Sequence, residues 1–192
     1  MIAGPSGVGK GTVVQRLREL LPDLYVSVST TTRRPRPAER DGVEYFFVDE
    51  EGFDRLIAED ELLEWAEIFG HRSGTPARAI RDVRSQGRDA VLEIDVQGAG
   101  IVREKVPDSI LILLVPPSLH ELERRLRTRA TEDEEKLARR LARAEEEMAR
   151  REAFDHVVVN DDLEHASSQV AAIIAASRTD PPDPLDPKDT SP

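Results

Sequence analysis

Short runs of mostly β-branched and aliphatic residues stand at positions 25–29, 91–95, 110–115 and 156–159, and each gives way to polar residues or proline. Runs of that length between breakers predict buried strands. Two longer stretches have helical spacing instead: residues 11–21, and residues 119–151, where Glu and Arg recur three and four positions apart. Alternation of strand and helix predicts an α/β architecture, a parallel sheet flanked by helices with ligands beyond the carboxyl ends of its strands. Positions 45–48 and 62–69 break this rhythm and read as a small separate sheet between helices. An inserted subdomain over about 33–87 is therefore expected, with a core made of 1–32 and 88–177 and a helical lid over about 119–153. Residues 178–192 run RTDPPDPLDPKDTSP, too proline-rich to pair and too polar to pack, which predicts a disordered tail.

Composition narrows the chemistry. A chain of 192 residues fits one domain, and 39% hydrophobic with 34% charged residues is a globular balance. No apolar run approaches the roughly 20 residues of a membrane span, and no export signal opens the chain, so a cytoplasmic protein is expected. The absence of cysteine excludes disulfides, thiolate metal sites and cysteine nucleophiles, and the four histidines lack metal-ligand spacing. A net charge of −11 repels polyanions, so no nucleic-acid partner is expected, while local arginine clusters remain suited to small phosphorylated ligands. Oligomeric state is not legible.

Gly4, Pro5, Ser6, Gly7, Val8, Gly9 and Lys10 match the phosphate-loop pattern GxxxxGK, and Gly11 and Thr12 lead on into the first helical segment. Backbone N–H groups of such a loop converge on phosphate, the helix N-terminus adds positive dipole, and the lysine brings a point charge to the β and γ phosphates. Nucleotide triphosphate binding follows. The full pattern has Ser or Thr where Gly11 stands. Only Met1, Ile2 and Ala3 precede Gly4, so most of a central strand is missing; either the true start lies upstream or the fold tolerates a truncated strand.

Residues 27–36 read SVSTTTRRPR, followed by Glu39, Gly42 and Tyr45. Two guanidinium forks at Arg33 and Arg36, spaced by a loop that Pro35 stiffens, are suited to a dianionic monophosphate. This stretch resembles the signature of guanylate kinases, and the resemblance extends over about residues 1–177. It implies that Ser29, Arg33, Arg36 and Tyr45 belong to a GMP site, and that Glu64 and Thr75, in Leu63-Glu64-Trp65-Ala66 and Gly74-Thr75-Pro76, read the guanine. Guanine offers N1–H and a 2-amino group side by side to a carboxylate, and adenine has no 2-amino group. Ser73 stands where the family commonly has tyrosine; Arg72 is expected to replace part of that phosphate contact.

Residues 91–98, VLEIDVQG, resemble the family's LxIDxQG element and carry Glu93 and Asp95 on one face of a strand. Those carboxylates either hold magnesium through its waters or hydrogen-bond the substrate base, or cap the next turn. No direct metal ligand is expected; Thr12 and Asp95 are the candidates through water. Residues 124–140 resemble the family lid, implying catalytic roles for Arg125, Arg129 and Arg140 beside Lys10, and Asn160 is implied near the adenine or its ribose. The implied fold is a P-loop NTPase-type parallel sheet with an inserted GMP-binding subdomain and a helical lid, and the implied reaction is Mg·ATP + GMP giving ADP + GDP. Two alternatives stand beside it: a non-catalytic module of the same shape that holds phosphopeptides, which intact Lys10, Arg129 and Arg140 oppose, and a kinase of another phosphorylated acceptor, which Glu64 with Arg33 and Arg36 opposes.

Overall fold

A computed structural model describes residues 1–68, 70–129 and 134–178, with only the backbone of Ile68 and Arg129. In chain order the elements are β1 (Ile2–Ala3), α1 (Lys10–Leu20), β2 (Tyr25–Val26), β3 (Ser29–Thr31), β4 (Tyr45–Phe47), α2 (Glu50–Ala58), β5 (Leu62–Ile68), β6 (His71–Pro76), α3 (Ala77–Ser85), β7 (Ala90–Val91), α4 (Val96–Lys105), β8 (Ile112–Val115), α5 (Leu119–Arg129), α6 (Glu134–Ala149), β9 (His156–Val159) and α7 (Leu163–Ser177). The predicted tail lies outside the described residues after Arg178.

The core sheet runs β2-β7-β1-β8-β9 and all its pairings are parallel. Its two halves meet where β1 crosses from β8 to the end of β7: Ile2 N donates to Leu92 O at 2.9 Å and Ile94 N donates to Ile2 O at 3.2 Å. Two residues of β1 are enough to join five strands because both are fully buried and each side of the strand is bonded. Side-chain alternation gives the sheet two apolar faces. Ile2, Ile112 and Leu114 pack with Val13, Leu17, Ala166 and Val170 beneath α1 and α7. Ala3, Leu111 and Leu113 pack with Ile80, Ala99 and Val102 beneath α3 and α4.

The second sheet runs β4-β3-β6-β5, with β3 parallel to β4 and antiparallel to β6. Here the predicted strand at 25–29 needs correction. Tyr25 and Val26 belong to the core, Ser27 N donates to Val91 O at 2.9 Å as the last core bond, and Ser29–Thr31 then enter the other sheet. A β-branched run reports extended backbone but not which sheet receives it. The predicted strand at 91–95 is likewise short, because Asp95 caps α4 by accepting from Gly98 N at 2.7 Å. The predicted helix at 119–151 is two helices and a 3₁₀ turn at Arg151–Ala153. Leu122 and Leu126 on α5 pack against Leu137, Leu141 and Ala144 on α6, so this helical pair carries an apolar seam of its own.

Candidate active site

The carboxyl ends of β1 and the β7 segment, the second sheet and α6 enclose one cleft of about 1250 Å³. That exceeds the roughly 300–1,000 Å³ of a pocket for one small ligand and leaves room for two. At one end lies the glycine loop, where Gly4, Pro5, Ser6, Gly7, Gly9, Lys10 and Gly11 line the wall. Lys10 Nζ donates to Gly4 O at 2.5 Å across its own loop. Burial pulls the Lys10 ammonium below its usual range, and the charges of Glu93, Glu147 and Asp95 oppose that shift.

The loop is held from behind. Buried Asn160, at the end of β9, donates from Nδ2 to Val8 O at 2.7 Å, and Arg125 of α5 donates to Val8 O at 3.2 Å and to Asn160 O at 3.0 Å. Gly9 has φ 100°, and a Cβ there would stand 2.5 Å from Asn160 Nδ2, so the sequence needs glycine for two separate reasons. Val8, Asn160 and Arg125 thus shape the loop from outside the cleft, and Thr12 is exposed and away from the lining. The Arg129 side chain lies outside the described residues.

At the other end Ser29, Arg33, Arg36, Tyr45 and Glu64 line the cleft. Arg33 is gripped by Glu39 through two bonds of 2.8 and 2.9 Å, and its guanidinium lies 5.2 Å from the Tyr45 ring centroid and 5.8 Å from that of Phe47. The Glu39 bond raises the Arg33 pKa, and the same bond lowers that of Glu39. Burial pushes the Tyr45 hydroxyl up. Glu64 on β5 is 6% exposed and accepts from Thr75 Oγ1 at 2.6 Å. Burial, which outweighs the Thr75 bond and is reinforced by Asp95, pushes its carboxyl up to about 7. A Cβ on Gly98 would stand 2.7 Å from Glu64 Oε2 and 3.3 Å from Asp95 Oδ1, so the start of α4 is shaped around both carboxylates.

Strand alternation decides the fate of Arg72. His71 and Ser73 face the cleft, and Thr75 on the same face carries Glu64, while Arg72 points to the opposite side. There it pairs with Glu50 and Asp54 of α2 and stacks 4.8 Å over the Phe53 ring. The expected replacement of a tyrosine by Arg72 is therefore corrected; Ser73 occupies the position and donates to Thr31 Oγ1 at 3.0 Å.

The roof is α6. Lys136, Arg139, Arg140, Arg143 and Glu147 line the cleft, and Arg140 Nη2 donates to Ser6 Oγ at 2.7 Å. Sequence reasoning singled out Arg140 of these and missed the rest, although their three- and four-residue spacing marks one helix face.

The comparisons with known proteins meet this geometry. A family model described as Guanylate kinase matches residues 1–177. The chain belongs to the guanylate kinase family. Relatives named guanylate kinase include that of Thermobifida fusca, 50% identical over 179 residues covering 93% of this chain and 91% of the relative. That of Streptomyces kasugaensis is 51% identical over 174 residues, 91% of this chain and 85% of the relative. The crystal structure of guanylate kinase from Anaplasma phagocytophilum superposes with TM-score 0.77 at 34% identity, covering 92% of this chain and 84% of that one. The parallel core, second sheet and helical roof are thus a guanylate kinase fold, the α/β architecture with a P-loop. Among the described residues no helix is long and apolar enough to cross a membrane.

Proposed function

We propose that this guanylate kinase transfers the γ-phosphoryl group of ATP to GMP, giving ADP and GDP, with the two nucleotides at opposite ends of the one cleft. The observation that carries the reading is the pairing of a phosphate loop with a buried carboxylate, Glu64, in the same cleft as the Arg33, Arg36 and Tyr45 cluster. The loop amides and Lys10 hold the ATP phosphates. Arg33 and Arg36 hold the GMP phosphate, with Tyr45 as a further donor. Glu64 accepts from guanine N1–H and the 2-amino group, with its second role, accepting from Thr75, fixing the carboxylate's rotation. Ser29 and Asp95 complete the base side. Inosine-type and adenine bases leave part of this buried acceptor unsatisfied, which is how one carboxylate discriminates.

A phosphate oxygen of GMP attacks the γ phosphorus, the bond to the β–γ bridging oxygen breaks, and its electrons leave with ADP. The protein contributes alignment and charge neutralisation rather than a covalent intermediate. Arg140 on the roof, already bonded to the phosphate loop, brings positive charge over the transferring group, and Arg129 is assigned to the same task. Arg125 acts through Val8 and Asn160 on the loop rather than on phosphate. Asn160 likewise supports the donor site from below.

The family's reaction uses magnesium carried by ATP. Among the described residues no group of three or more His, Cys, Asp or Glu forms a metal cage. The donor set does fit an ion that arrives on the nucleotide and keeps its waters: Glu93 oxygens lie 3.6 and 3.7 Å from where a Cβ on Gly11 would be, beside Lys10, and Asp95 lines the same wall. Glu93 and Asp95 would hold it through water, with Thr12 the weaker candidate from its exposed position. Bound magnesium supplies neutralisation of phosphate charge. This reading assigns the reaction to the cytoplasm.

The test is ADP production with Mg·ATP and each of GMP, AMP, CMP and UMP. Turnover confined to GMP is expected. Turnover with another acceptor moves the chain to a different substrate, and tight GMP binding without turnover makes it a binding module.

A further inference from the structure

Arg143 sits one turn beyond Arg140 on α6 and reaches Asp95, whose charge acts on Lys10 on one side and on Glu64 on the other. Its Nη2 lies 3.1 Å from Asp95 Oδ2, and its Nε donates to Glu147 Oε1 at 2.8 Å, one turn further along the same helix. The other Asp95 oxygen accepts from Gly98 N at 2.7 Å, so Asp95 is fixed to the core by one oxygen and to the roof by the other. Arginine and aspartate side chains are 27% and 12% exposed, enough burial for the pair to escape most of the screening that makes surface ion pairs weak. Glu147 holds the guanidinium plane from its own helix, so the fork reaches Asp95 without an entropic search.

The consequence lies in the spacing. Arg140 and Arg143 are three residues apart on one helix face; the first bonds Ser6 of the donor loop and the second bonds Asp95 on the acceptor side. We propose that Arg143 is a positioning residue for the reaction, the contact through which the roof helix registers the acceptor site, using Asp95 as its anchor. Its guanidinium is engaged by Asp95 and Glu147. It sets how α6 lies over GMP, while Arg140 sets how the same helix lies over ATP. Loss of the Arg143 anchor therefore weakens the acceptor end of the closed cleft more than the donor end, where Arg140 still bonds Ser6.

This inference rests on the guanylate kinase reading above, and its test separates the two. Wild-type chain, Arg143→Gln, Arg143→Lys and Glu147→Gln are compared in steady-state turnover of Mg·ATP with GMP, with ADP and GDP measured independently. For Arg143→Gln the expected result is a KM for GMP raised about tenfold, a rise in the KM for ATP several times smaller, and ADP formed in excess of GDP as water enters a poorly registered cleft. Arg143→Lys, which keeps the charge but not the fork, recovers part of the KM; Glu147→Gln moves it in the same direction by less. Equal changes in both KM values, or an unchanged KM for GMP in the folded Arg143→Gln protein, overturns the proposal. If Arg143→Gln does not fold, Arg143→Lys and Glu147→Gln decide by the same split. Wild-type chain with no GMP turnover defeats the kinase reading itself, which no variant outcome does.

Discussion

Replacing Glu64 by Gln removes the charge of the carboxyl proposed to read guanine and keeps its shape and its acceptor for Thr75. The carboxyl is raised from 4.5 to about 7 mainly by burial, so the folded chain binds that proton more tightly than the unfolded chain. The sign follows: stability from this group is present below about 4.5 and is lost as pH rises through about 7. At 1.36 kcal/mol per pKa unit the loss is on the order of 3 kcal/mol. Glu64→Gln does not suffer it, so the variant is expected to melt on the order of 5 to 10 °C above wild type near pH 8 and level with it at about pH 4.

Ligand binding is expected to move the other way, because the proposed guanine contact needs the ionised form. With a pKa of about 7, wild-type affinity for GMP falls roughly eightfold between pH 7.5 and pH 6 from this group alone. The GMP phosphate, with a second pKa of about 6, adds roughly twofold and does so in both proteins. Calorimetric titration with GMP at several pH values therefore gives a steep curve for wild type and a shallow one for Glu64→Gln. Near pH 8 the variant also loses at least roughly tenfold in discrimination of GMP over AMP, the scale of one charge-assisted hydrogen bond. Parallel pH curves, or retained selectivity, refute the assignment of guanine readout to a poised Glu64.

Two further substitutions test the supports of the cleft. Gly98→Ala places a methyl 2.7 Å from Glu64 Oε2, the far end of a flexible side chain, so thermal stability is expected to stay within about 1 kcal/mol while the KM for GMP rises about tenfold with that for ATP unchanged. Asn160→Ala removes the 2.7 Å bond to Val8 O and is expected to lower stability by about 1 kcal/mol and raise the KM for ATP severalfold, with the KM for GMP unmoved in the same assay.

Local patterns made some of this legible and hid the rest for definite reasons. The glycine loop was readable because its spacing answers to phosphate geometry alone, and the lining places seven of its residues in the cleft. Arg33, Tyr45 and Glu64 were legible through the resemblance, since an isolated buried glutamate leaves no trace in composition. Asn160 and Arg125, expected at the nucleotide, also bond Val8 O, contacts between positions 152 and 117 apart in sequence that no local pattern reveals. Strand parity was enough to turn Arg72 away from the cleft, but only once the register of β6 was known. Arg143 lay within an Arg and Glu run whose ordinary meaning is a solvated helix, and its contact with Asp95 across the cleft sets it apart.

These placements divide the helical pair into unequal parts. α5 is tied to the core at Arg125, whose guanidinium is committed to Val8 O, Asn160 O and Glu121, so this helix moves only if the phosphate loop moves with it. α6 reaches the cleft through side-chain partners: Arg140 meets a serine hydroxyl and Arg143 a carboxylate, both on the cleft lining. A helix fastened to ligand-bearing side chains takes its position from them, whereas one fastened to backbone does not. On the proposed function the pair combines a fixed arm that keeps the donor loop in shape and a responsive arm whose closure is expected to depend on both ends of the cleft. That dependence is what a phosphoryl transferase requires, because a roof that closed on ATP alone would deliver the phosphoryl group to water.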